Sequence, residues 1–122
     1  MVESGYEKLD VYQVATSLAD DIWRIVHTWT RFERRTIGIQ LVRSVESIGA
    51  NIAEGAGRGS KADNRRFLFI ARGSLYETKH WLRRALEREL LAKGDIAVLR
   101  PKMDELIPRL NAYLNYVSGS CE

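Results

Sequence analysis

A chain of 122 residues has room for one hydrophobic core, so residues 1–122 read as a single domain. With 45% hydrophobic and 29% charged residues and a net charge of +3, it is too apolar and too mixed in sign for a disordered tail. No stretch approaches the roughly 20 apolar residues of a membrane span, the opening MVESGYEKLD lacks a secretory core, and a lone Cys121 cannot form an internal disulfide, so a cytoplasmic protein with no membrane role is expected.

The periodicity predicts four helices. Val11, Ala15, Leu18, Ala19, Ile22, Val26 and Trp29 recur at steps of three and four, which predicts a helix over 10–29 opened by an Asp10/Gln13 capping box. A second box, Thr30 with Glu33, opens a helix over 31–54 whose stripe is Leu41, Val45, Ile48 and Ile52. Gly55 is expected to close that helix in a left-handed turn. Ser60 with Asp63 forms a third box, and Leu68, Ala71, Leu75, Leu82 and Leu86 carry the longest helix, over 60–92. Gly94 then reads as a stop and Asp95 as a cap for a helix over 95–117, lined by Leu99, Met103, Leu106, Leu110, Tyr113 or Leu114, and Val117. Pro101 suits a first turn, placing the regular start near Arg100, and Pro108 is expected to kink the helix. Four amphipathic helices on short connections, with no alternating strand pattern, define an all-α, antiparallel up-down-up-down four-helix bundle.

Apolar residues outside the main stripes point to self-association. Tyr12 and Trp23 flank the first stripe, and Gly38, Ile39, Val42, Gly49 and Ala53 widen the second. Tyr12, Trp23 and Val42 are therefore the candidate oligomer contacts, although scattered apolar residues also flank the core of an ordinary monomer.

Charge is lopsided. Residues 58–93 hold ten basic side chains against four acidic ones, whereas residues 6–29 hold two against four. Arg65, Arg72 and Lys79 are seven apart and Arg83 follows four later, aligning all of them along one helix edge. Steps of two turns, about 10 to 11 Å, suit successive phosphates of a nucleic acid. The same row also reads as a solvated helix face with local ion pairs such as Arg83 with Glu87. At the start of that helix, Arg58 and Lys61 extend the basic set, and the glycines at 55, 57 and 59 invite comparison with a phosphate loop. A nucleotide loop needs a preceding strand and lysine before serine; here a helix precedes and Ser60 comes before Lys61.

No catalytic set is evident. His27 and His80 are far apart in sequence, and Glu77-x-x-His80 occurs once where a di-iron bundle needs two such motifs. The expectation is a protein with no enzymatic activity, cofactor, metal or small-molecule substrate. A polar stripe, Gln40, Ser47, Asn51 and Glu54, instead faces Ser74 and Glu77 beside Gly73, predicting a buried network between the second and third helices. Arg72 could join that network or the basic row.

The run from Gln40 to Leu82 resembles the bacterial 23S rRNA intervening sequence protein family of four-helix bundle proteins. The residues that carry the resemblance are Gln40 and Arg43, then Ser47, Ile48, Asn51, Ile52, Ala53, Glu54 and Gly55, then Gly57 and Arg58. A second element comprises Arg66, Phe67, Leu68, Ile70, Ala71, Arg72, Gly73, Ser74, Leu75 and Glu77, and the resemblance spans roughly residues 6–90. Glu33 and Gly49 stand where the family commonly has proline. The resemblance implies an antiparallel four-helix bundle that assembles into rings, with a homopentamer foremost. It also implies kinship to nucleic-acid-binding accessory proteins of diversity-generating retroelements. Two readings follow: a homo-oligomer that grips RNA or DNA by its phosphates, and an assembly scaffold whose partner is another protein.

Overall fold

The computed structural model describes residues 5–119. After a short 3-10 turn at Tyr6–Lys8 come α1 (Asp10–His27), α2 (residues 31–56), α3 (Lys61–Glu87) and α4 (Lys93–Ser118). Each helix packs against its neighbours in sequence, and α4 closes back on α1. The short connections make successive helices antiparallel, giving the up-and-down four-helix bundle that the four apolar stripes require. Cys121 lies outside the described residues.

The stripes fill the interior. Leu18, Ile22, Leu41, Ile48, Ile52, Leu68, Leu75, Leu106 and Leu110 are all but sealed from solvent, and Trp29 is buried just beyond the end of α1. Leu82 is only partly covered and Leu86 is exposed, because α3 and α4 part toward that end and leave a cleft between them.

The helix ends differ from the sequence expectation wherever tertiary contacts decide them. The cap position of α1 is Leu9, which has no side-chain acceptor; Asp10 lies within the helix and faces Arg109 on α4 at 3.5 Å. Gln13 Nε2 donates instead to the Glu7 carbonyl at 3.1 Å, so no Asp10/Gln13 box forms. The helix also stops at His27, short of residue 29. The Thr30/Glu33 box is present: the Glu33 amide donates to Thr30 Oγ1 at 3.3 Å and the Thr30 amide to Glu33 Oε1 at 3.0 Å. It opens α2 through Arg31–Glu33, a π-helical turn at Arg34–Gly38 and the regular stretch Ile39–Ala56.

Gly55 does not end α2 in a left-handed turn. It is a buried helical residue, and a Cβ on it would lie 2.6 Å from Asn64 Oδ1, 3.0 Å from the Asn64 carbonyl oxygen and 3.1 Å from Phe67 Cβ. Its missing side chain lets α2 and α3 touch near their junction. Ser60 caps α3 by accepting from the Asp63 amide at 3.1 Å.

The end of α3 falls at Glu87 rather than near residue 92, because Glu89 turns left-handed at φ 59. The Leu90 amide donates to the Ala85 carbonyl at 2.9 Å and the Glu89 amide to the Leu86 carbonyl at 3.0 Å, a Schellman closure with glutamate where glycine is favoured. Glu89→Gly is therefore expected to raise stability by about 0.5–1 kcal/mol, measured as an upward shift of the urea midpoint at constant slope. Helix α4 begins at Lys93, so Gly94 is helical and Asp95 is not the cap. Asp95 accepts from the Ala92 amide at 2.9 Å. Both Pro101 and Pro108 lie inside α4, so the regular helix starts well before Arg100.

Candidate nucleic-acid interface

The basic row occupies the edge of α3 that borders α4. Arg65 and Lys79 are exposed and form no ion pair among the described residues. Arg83 is 79% exposed and sits 3.7 Å from Glu87, whose shorter partner is Arg84 at 2.6 Å. Arg72 is half-buried: Nη1 donates to Asn111 Oδ1 on α4 at 3.4 Å, and its guanidinium lies 4.9 Å above the Phe69 ring. One of its five N–H donors is thus committed, and the group is held along the α3–α4 edge, away from the hydroxyls that face α2. Below Lys79 and Arg83 the gap between α3 and α4 opens into a cleft of about 570 Å³, floored by Leu82, Leu86, Leu99 and Met103 and carrying Arg100 on its far wall.

At the amino end of α3, Arg58 turns back to Glu54 at 3.1 Å and covers one part of Phe67 at 4.9 Å. Arg66 covers the same ring at 4.7 Å and pairs loosely with Asp63 at 3.8 Å. Lys61 is exposed. Arg58, and more loosely Arg83, are therefore the members of the candidate set with a carboxylate beside them, while Arg65, Lys61 and Lys79 face solvent.

On the opposite edge of α3, hydroxyls join it to α2. Ser74 Oγ donates to Ser47 Oγ at 2.9 Å, and Asn51 Nδ2 donates to the same oxygen at 2.9 Å and to the Ser47 carbonyl at 2.8 Å. Thr78, fully buried, has Oγ1 3.0 Å from Ser44 Oγ and 2.8 Å from the Ser74 carbonyl, and Ser44 Oγ reaches the Leu41 carbonyl at 3.1 Å. The structure brings Ser47, Asn51 and Ser74 together and adds Ser44 and Thr78, which the stripe of sevens passes over. Glu54 and Glu77 stand outside this seam. Each is exposed, Glu54 on Arg58 and Glu77 accepting from Trp81 Nε1 at 3.3 Å. Gln40 is half-buried and makes no bond within the seam.

The candidate oligomer contacts divide. Trp23 is 58% exposed. Tyr12 is half-buried within its own chain, edge-on to Tyr6 at 5.0 Å, and Gly49 faces its ring. Burial, with Tyr6, Glu7 and Glu46 nearby, raises the Tyr12 hydroxyl above its ordinary pKa. Val42 is partly buried against the core. Sequence reasoning missed the polar link between α1 and α4: buried Asp21 accepts from Arg24 and from Lys102, and Lys102 Nζ also donates to Ser17 Oγ at 2.8 Å.

His80 stacks edge-on against Trp81 at 4.8 Å, and Glu77 is bonded to that indole. No three His, Cys, Asp or Glu side chains converge as a metal would need, and no helix is long and apolar enough to cross a membrane, among the described residues.

The geometry defines a small antiparallel four-helix bundle with one strongly basic edge and a hydroxyl seam. Residues 7–112 match the family described as 23S rRNA-intervening sequence protein, and the chain belongs to that family. The match runs past residue 90 through most of α4. A solved structure from Bacteroides thetaiotaomicron VPI-5482, a protein with unknown function from the S23 ribosomal protein family, is similar at 25% identity and a TM-score of 0.73, over 85% of this chain and 97% of that one. No curated protein matches this chain.

Proposed function

We propose that the chain is a non-enzymatic, cytoplasmic homo-oligomer that binds RNA or DNA by the phosphate backbone along the basic edge of α3. The observation that carries this reading is the row Arg65, Arg72, Lys79 and Arg83, exposed or half-exposed along one edge, with only Arg83 near an acid among the described residues and that acid held closer by Arg84. Lys61 and Arg58 continue the positive edge at the amino end. Phosphate contacts of this kind position a nucleic acid and carry little base readout. Ring formation, five copies by the family resemblance, would repeat the edge by symmetry and multiply its field.

Binding of a short duplex measured against salt tests the reading. Each phosphate contact contributes about 0.9 to the log–log slope, so Arg72→Ala with Lys79→Ala is expected to flatten it by about 1.8 and weaken binding at every salt concentration. An unchanged slope would remove these two residues from the interface.

A second reading, an assembly scaffold for another protein, is favoured by exposed Trp23 and Ile39. Under that reading the multimer ignores nucleic acid at all salt concentrations, which light scattering with and without a structured RNA distinguishes.

A further inference from the structure

We infer that the outer face of α3, beside the basic edge, is a stacking platform for unpaired bases, so that the ligand is single-stranded RNA or DNA or an unpaired segment of a folded one. This rests on the phosphate-binding reading above and narrows it. Phe69 and Tyr76 are 47% and 55% exposed. Seven residues apart, they share a helix face and stand about 10.5 Å apart along the axis. Gly73 lies between them in the chain, and a Cβ there would meet nothing within 4 Å, so the helix surface at Gly73 is open. Tyr76 makes no ring contact or hydrogen bond among the described residues. Phe69 carries the Arg72 guanidinium at 4.9 Å, which joins the aromatic ridge to the cationic row.

Charge selects the occupant. From Asn64 to Tyr76 the chain has three arginines and no acid. A symmetric contact with a second copy through this face would set like-charged rows against each other. A ligand with an anionic edge and flat apolar faces satisfies both features: phosphates on Arg65, Arg72 and Lys79, bases on Phe69 and Tyr76. In a duplex those base faces are hidden in the stack, so only unpaired nucleotides can use the rings. Stacking of this kind tolerates any base, because every base has a π face.

The experiment is fluorescence anisotropy of the full chain with a labelled oligouridylate and with a labelled duplex carrying the same number of phosphates. The wild type is expected to prefer the single strand. Tyr76→Ala is expected to weaken single-strand binding about tenfold while duplex affinity and the salt slope stay unchanged; adding Phe69→Ala, which also releases the Arg72 guanidinium, brings the single-strand loss to about a hundredfold, well beyond any loss on the duplex. Phe69→Tyr with Tyr76→Phe keeps both π faces and is expected to keep the affinity. Both positions are exposed, so the variants should melt with the wild type. No loss on the single strand, or an equal loss on both probes, overturns the platform and leaves the phosphate reading standing. A wild type that binds neither probe overturns both. A change of multimer mass in the alanine variant would assign the face to a contact between copies and also overturns the platform.

Discussion

Gly55→Val is expected to lower the unfolding free energy by about 3 kcal/mol, and Gly55→Ala by about 1–2 kcal/mol. The cost arises because α2 and α3 meet here backbone to backbone. A Cβ would lie 3.0 Å from the Asn64 carbonyl oxygen and 3.1 Å from Phe67 Cβ, and neither atom can move without shifting α3. The nearer atom, Asn64 Oδ1 at 2.6 Å, belongs to a side chain and could rotate away, but it is itself buried with no hydrogen-bond donor and has little room. Alanine gains up to about 1 kcal/mol of helix propensity over glycine, which offsets part of its clash; valine forfeits most of that gain and adds two methyls. Chemical denaturation followed by far-UV circular dichroism measures both. Because Arg58, Arg66 and Phe67 flank this contact, the valine variant is also expected to disturb the amino end of the basic edge before the Lys79 end. A valine variant as stable as the wild type would mean that α2 and α3 separate here at little cost.

The four apolar stripes were legible because a period of three and four is imposed by burial, and burial is what organises this fold. Helix ends were less legible. Capping boxes at Asp10 and Gln13 and a glycine stop at Gly94 are local signals, yet Leu9 precedes α1, Glu89 turns left-handed, and Gly94 sits inside α4. Leu9, Leu90 and Leu91, beside these ends, pack against the core, and a capping pattern carries no information about that. The seam between α2 and α3 was half legible. Ser47, Asn51 and Ser74 stood out as a polar stripe, but Ser44 and Thr78 lie on the margin of the apolar stripes, where small hydroxyls reach each other across the gap. Glu54 and Glu77 fall out of the seam because long carboxylates find partners four residues along the chain in solvent. The spacing of the basic row follows from helix geometry alone, whereas the side of α3 to which Arg72 belongs depends on where α4 docks. Phe69 and Tyr76 share the seven-residue spacing of the row, and only the tertiary structure reveals that about half of each side chain stays exposed, with Arg72 over the Phe69 ring.

The second large effect is expected at the polar link between α1 and α4, where Lys102→Met should cost about 2–3 kcal/mol and Asp21→Leu about 1 kcal/mol. The asymmetry follows from exposure. The Asp21 side chain is 7% exposed, whereas that of Lys102 is 31% exposed. Removing the lysine leaves a buried carboxylate with Arg24 as its remaining cation, and that arginine is 68% exposed and partly screened by water. Removing the aspartate instead leaves an ammonium that keeps Ser17 and can swing outward on its long stem. With both changed, the leucine and methionine can pack against each other, and the double variant is expected to recover most of the loss, since breaking a buried pair costs more than replacing it. A double-mutant cycle reads this as a coupling of about 2–3 kcal/mol that survives high salt. Costs that simply add would mean that the two charges do not support each other, and that α1 and α4 are held by their apolar faces and by the exposed Asp10–Arg109 contact.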